Sequence, residues 1–187
     1  EAPNAEMRMR DKLLCWQLLS PPACTARHVL SNLMRLQSLV APRVCAACLS
    51  TVWNRWTTAR RFQQRESGSN RCVLGCGGGA EDSLEHYFHC SAIRAVAQDY
   101  LRLVAVSKDQ FLLACAFPHE EFLTLTAVLV YATYDTTDRF RIRGGGIHNV
   151  AVDALRQAFM NAVHGNAYSS RLLDGRWEQR LATRRCL

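Results

Sequence analysis

One short stretch, RCVLGCGGGAEDSLEHYFHC, holds four side chains that can bind a metal: Cys72, Cys76, His86 and Cys90. Two loop thiolates and an imidazole–thiolate pair beyond them make four N/S donors, the set that a tetrahedral ion takes. Soft thiolates with one imidazole favour zinc. Four protein ligands leave no place for a reactive water, so the expected role is structural and not catalytic. The glycines at 75, 77, 78 and 79 let the loop turn back with its thiolates inward. His86 and Cys90 are four residues apart, which on a helix would stack them on one face. His89 is the alternative imidazole, although it does not continue that face.

The other cysteines are less diagnostic. Cys45 and Cys48 form a CxxC, and with Cys24 and His28 they could build a second metal set. The CxxC lies within an apolar helical pattern, however, where cysteine commonly serves as a small hydrophobe. Nine cysteines, an odd number without a secretion signal, point to a reducing intracellular compartment over a disulfide framework.

Charge is the second signal. The 187 residues carry a formal net charge of +7, and 21 of the 23 basic residues are arginine. Residues 1–71 sum to +7, residues 72–138 to −6 and residues 139–187 to +6, so two basic ends flank an acidic middle. Arginine neutralises phosphates and releases their counterions, and its planar fork can grip phosphate or stack on a base. The candidate nucleic-acid contacts are Arg55, Arg60, Arg61 and Arg65 before the metal loop, and Arg139, Arg141 and Arg143 further on. The second set alternates with Phe140 and Ile142, so an extended strand would point all three arginines one way. Solvated helix faces are the competing reading for these arginines. For Trp53 and Trp56 the favoured reading is core packing. Gly144, Gly145 and Gly146 precede a helix but lack the ordered dinucleotide fingerprint.

Positioning these groups falls to helices, because apolar spacing of three and four dominates and long alternating runs are missing. A first helix is expected over 4–19, stopped by Pro21 and Pro22. Others are expected over 24–40, from Pro42 to about Gln64, and from an Asp82–Glu85 capping box to about Val104. Ser107 and Gln110 should cap a short helix through Phe117. Pro118 should open one that is apolar through Tyr134 and basic at Arg139. A last clear one spans 148–163. The fold class is therefore mostly α, a small helical domain whose zinc knuckle joins two helices. Three segments are expected: basic helices over 1–66, the zinc loop and helix over 67–105, and C-terminal helices with a basic tail over 106–187. The longest apolar stretch, 122–134, falls short of the ~20 residues of a membrane span. The first residues carry no secretory signal, and the missing initiator Met suggests a processed or incomplete chain.

TVWNRWTTARRFQQRE followed by CVLGC and EDSLEHYFHCSAIR resembles the zinc-binding region that follows the reverse transcriptase domain in non-LTR retrotransposon proteins. Trp53, Trp56, Thr58 and Arg61 match its aromatic-basic helix, and Cys72, Cys76, Glu81, His86 and Cys90 match its metal segment. The likeness covers roughly residues 50–105. It implies a nucleic-acid-binding appendage without its enzyme. A polymerase palm needs paired aspartates on a hairpin, whereas Asp135 and Asp138 sit three apart in a helical pattern. Also missing are a Gly-rich nucleotide loop, a nucleophile elbow and a metalloprotease helix.

The expected function is a non-catalytic, zinc-stabilised RNA-binding subunit of a ribonucleoprotein, such as an organellar ribosome. Its partners would be rRNA-like RNA and the neighbouring proteins of a large assembly, with no membrane and no small-molecule substrate. The Arg-rich, Met-less start points to a mitochondrial setting. Two alternatives are the C-terminal fragment of an active non-LTR reverse transcriptase and a protein-only scaffold whose arginine ends pair with acidic partners.

Overall fold

A computed structural model describes residues 4–18, 20–61, 71–77, 79–103 and 106–165. Among these are eight α-helices: α1 (Ala5–Leu14), α2 (Pro22–Leu39), α3 (Pro42–Val52), α4 (Leu84–Tyr87), α5 (Ser91–Leu101), α6 (Lys108–Phe111), α7 (Glu120–Ile142) and α8 (His148–His164). The described residues form no strand, only one isolated antiparallel bridge between Arg71 and Glu81. The mostly α class holds.

The long helix α7 is the axis of the molecule. It packs against α2, α3, α5, α6 and α8, and its sequence is apolar on nearly every side, as a helix surrounded by others must be. Its unusual feature is five fully buried threonines, Thr124, Thr126, Thr133, Thr136 and Thr137. Thr133 and Thr137 donate to the carbonyls of Leu129 and Tyr134, but the hydroxyls of Thr124, Thr126 and Thr136 have no hydrogen-bond partner. A buried hydroxyl left unpaired costs about 1–3 kcal/mol. Valine has the same shape without that cost. Thr124→Val, Thr126→Val or Thr136→Val should each raise stability by about 1 kcal/mol, read as a higher denaturation midpoint. Thr133→Val, which loses a satisfied bond, should not.

Helix ends depart from the sequence expectation wherever a large side chain turns inward. The first helix stops at Leu14 instead of running to residue 19. Gln17 takes the left-handed conformation (φ 50°), and Trp16 swings into the core to donate its indole N–H to the Val52 carbonyl at 3.0 Å. The proline pair does not end that helix; Pro22 opens the next one, its fixed φ and missing N–H suiting a first turn. Likewise α3 ends at Val52 and not near Gln64. Asn54 is left-handed (φ 50°), and Trp56 is fully buried with its N–H on the Thr51 hydroxyl. Both tryptophan contacts outweigh continued helix. The Ser107–Gln110 capping box is present, but α6 ends at Phe111, well short of Phe117. The expected Pro118 start moves to Glu120.

One hydrophobic core runs through the described residues from Met9 to Val163. All three sequence segments contribute to it, so the metal loop rests on a core built from both flanking parts. None of the described helices is long and apolar enough to cross a membrane.

Candidate metal centre

The loop that carries Cys72 and Cys76 is closed by its own backbone. Cys72 N–H donates to the Ala80 carbonyl at 2.7 Å, beside the Arg71–Glu81 bridge, and Gly75 N–H donates to the Cys72 carbonyl at 3.0 Å. Gly75 is needed twice over. Its φ of +60° suits glycine, and a Cβ there would lie 2.4 Å from the Gly146 carbonyl oxygen. Gly146 in turn donates to the Val73 carbonyl at 2.9 Å, so the metal loop is docked on the α7–α8 connection.

His86 and Cys90 do not share a helix, contrary to the sequence expectation of an i,i+4 pair. His86 is in the single-turn α4, whose N-cap is Ser83, not Asp82: the Ser83 hydroxyl accepts from His86 N–H at 3.2 Å. Cys90 has extended backbone and is the N-cap of α5. The expected continuous helix from Asp82 breaks there because Asp82 is drawn into the core, as described below, and because the chain turns at 88–90 to bring Cys90 inward. His89 is exposed and is not one of the clustered donors.

Even so, the four expected donors meet. The ligand atoms of Cys72, Cys76, His86 and Cys90 all lie within 4.8 Å of one another. The Cys72 and Cys90 sulfurs are 3.9 Å apart, and the Cys76 sulfur is 3.2 Å from His86 Nε2. Tetrahedral bonds of about 2.3 Å put sulfur ligands about 3.8 Å apart, so the set fits a four-coordinate ion. In the metal-free protein the hydrogen bond with Cys90, followed by burial, pushes the Cys72 thiol up to about 12. Burial above all also raises Cys76. An ion must therefore displace protons from these thiols to bind.

The alternative second set does not assemble. Cys48 is buried with its sulfur 3.8 Å from the Ala127 carbonyl, Cys24 is exposed, and no group of three or more donors forms around Cys24, His28, Cys45 and Cys48 among the described residues. The CxxC behaves as core.

Behind the metal loop lies a feature that local patterns did not reveal. The Asp82 carboxylate accepts from Ala59 N–H at 2.8 Å, from Arg141 Nε and Nη2 at 3.0 Å each, and from the Tyr87 hydroxyl. The Asp82 and Arg141 side chains are 2% and 15% exposed. Burial, then the Asp82 charge, raises the Tyr87 hydroxyl well above its ordinary value, so it stays a donor. This cluster ties the turn at 57–61, the start of the α4 segment and the end of α7 into one unit.

The arginines are corrected accordingly. Residues 139–142 are the last turn of α7 and not a strand, so the expected comb does not form. Phe140 is 8% and Ile142 82% exposed, as helical positions 200° apart require and as strand positions on one face would not be. Arg141 points inward to Asp82. Arg139 pairs with Asp135, and Arg60 lies 3.8 and 3.7 Å from Glu81 and Glu85. Arg61 donates to the Trp56 carbonyl at 3.3 Å. Arg55 is exposed, its guanidinium 6.0 Å from the Trp53 ring centre, and Arg143 is exposed beyond α7. Arg65 lies outside the described residues.

The two arginine segments, some eighty residues apart, nevertheless converge. Thr57 donates to Asp138 at 3.2 Å, beside Ala59 on Asp82 and Arg60 N–H on the Asp82 carbonyl at 3.2 Å. An open groove of about 970 Å³ is lined by this junction, the α7–α8 glycines and the metal loop. Set against known protein families, curated proteins and solved structures, the chain matches none of them.

Proposed function

We propose that this chain is a non-catalytic RNA-binding module, stabilised by zinc, that serves as a structural subunit of a ribonucleoprotein such as an organellar ribosome. Three thiolates and one imidazole favour zinc among the first-row ions, and four protein donors make its role structural. The observation that carries the RNA reading is the convergence of the 55–61 and 139–143 arginine segments beside the metal loop. A polyanion that touches both would be gripped by one rigid surface. Arg60, Arg139 and Arg141 are already neutralised by carboxylates, so the phosphate contacts fall mainly on Arg55, Arg143 and the basic chain ends.

The test is RNA affinity as a function of salt. Between 50 and 200 mM salt the affinity should fall along a straight log–log line whose slope counts the phosphates engaged. The double variant Arg55→Glu, Arg143→Glu should bind about tenfold or more weakly at fixed salt. Its melting temperature should fall by no more than about 4 °C, since neither group is buried and a carboxylate at the C-cap of α7 costs only about 0.3–1 kcal/mol. An affinity that is flat across this range, or unmoved by the double variant, refutes the reading.

A further inference from the structure

The three clustered sulfurs differ in access. Cys72 and Cys90 are buried, at 8% and 1% exposure, whereas Cys76 is partly exposed. Cys72 and Cys76 both line the open groove, and of the two Cys76 is the more accessible. Its sulfur is within 4.8 Å of both others. With an ion bound the three sulfurs are thiolates, and one reachable thiolate with two resolving thiolates beside it is the arrangement in which oxidation ends as a disulfide. We propose that the cluster is a peroxide-reactive modification site: a hydroperoxide oxidises Cys76, and a neighbouring cluster sulfur converts it to a disulfide with release of the metal. The proposal rests on the metal reading above.

The chemistry balances in two steps. The Cys76 thiolate attacks a peroxide oxygen; the O–O bond breaks, a sulfenic acid forms and hydroxide leaves. The sulfur of Cys72 or Cys90 then attacks the sulfenic sulfur; the S–S bond forms, the S–O bond breaks and a second hydroxide leaves. Two electrons pass from the sulfurs to hydrogen peroxide, and the two hydroxides that leave take two protons from solvent to end as water. His86 and one cysteine remain, too few to retain the ion. Loss of the ion also frees the loop whose Val73 carbonyl holds Gly146, so the change is transmitted to the α7–α8 connection and the groove between them.

The experiment takes the full chain, measures its metal content, and adds one equivalent of hydrogen peroxide. Expected are one metal ion released per disulfide, read with a metallochromic dye, and a mass loss of two hydrogens mapped to Cys76 with Cys72 or Cys90. Dithiothreitol with added zinc should reverse both. Cys15 and Cys24 are exposed competing thiols, and the double variant Cys15→Ser, Cys24→Ser should release at least as much metal. Oxidation at Cys15 or Cys24 with the metal retained overturns the proposal, as does metal release with sulfinic acid and no disulfide. A chain that takes up no metal before peroxide is added defeats the metal reading, and this proposal with it.

Discussion

Asp82→Ala should cost the fold about 3–5 kcal/mol, the scale set by removing one partner of a buried charge pair. The loss strands the Arg141 guanidinium, 15% exposed, and leaves Ala59 N–H and the Tyr87 hydroxyl without their acceptor. Each stranded group costs its own desolvation. Denaturant titration should show a lower midpoint, with the metal loop and the end of α7 released together because Asp82 joins them. Arg141→Met in the Asp82→Ala background should recover part of the loss, since no buried charge then remains. A double-mutant cycle reads that coupling directly. A change below about 1 kcal/mol for Asp82→Ala would put this carboxylate among ordinary surface groups and contradict its burial.

Metal removal should have the other large effect. A ligand at about 1,000 times its Kd adds about 4 kcal/mol to the folded state, which for a chain of this size corresponds to about 10 °C in melting temperature. Chelation should lower the melting temperature by that order, and Cys90→Ser should remove the difference between chelated and zinc-loaded samples. The pH dependence has a definite sign. Three cysteines must lose protons on binding, so affinity should rise with pH and about three protons should appear per ion in weakly buffered solution. For the metal-free fold the direction reverses. Cys72 is raised from 9.0 to about 12 in the folded state, so the stability it contributes is complete below pH 9 and is lost as pH climbs towards 12. The zinc-loaded protein, with its thiolates held by the ion, should not share that alkaline loss.

Much of the local structure could be read from the chain itself. The Ser107–Gln110 box and the helix-opening Pro42 rest on interactions within one turn, so their geometry follows from neighbouring residues. Helix ends were less legible. At Leu14 and Val52 the apolar pattern continues, and what stops the helix is the burial of Trp16 and Trp56 against partners fixed by the fold. At 139–143 the alternation of arginine with Phe140 and Ile142 suits a strand, yet the apolar surroundings of α7 extend the helix through it. Alternation over five residues is too short to outweigh packing along a 23-residue helix.

The four candidate metal donors and the helical class were legible in the order of residues alone, because thiols, imidazole, glycines and apolar spacing act over short stretches of chain. The tertiary structure decided which carboxylate pairs with Arg141, why Gly75 must lack a side chain, and that the 55–61 and 139–143 segments meet. Those outcomes join residues as far as 81 positions apart, and their energies exist only once the core has brought both partners out of water.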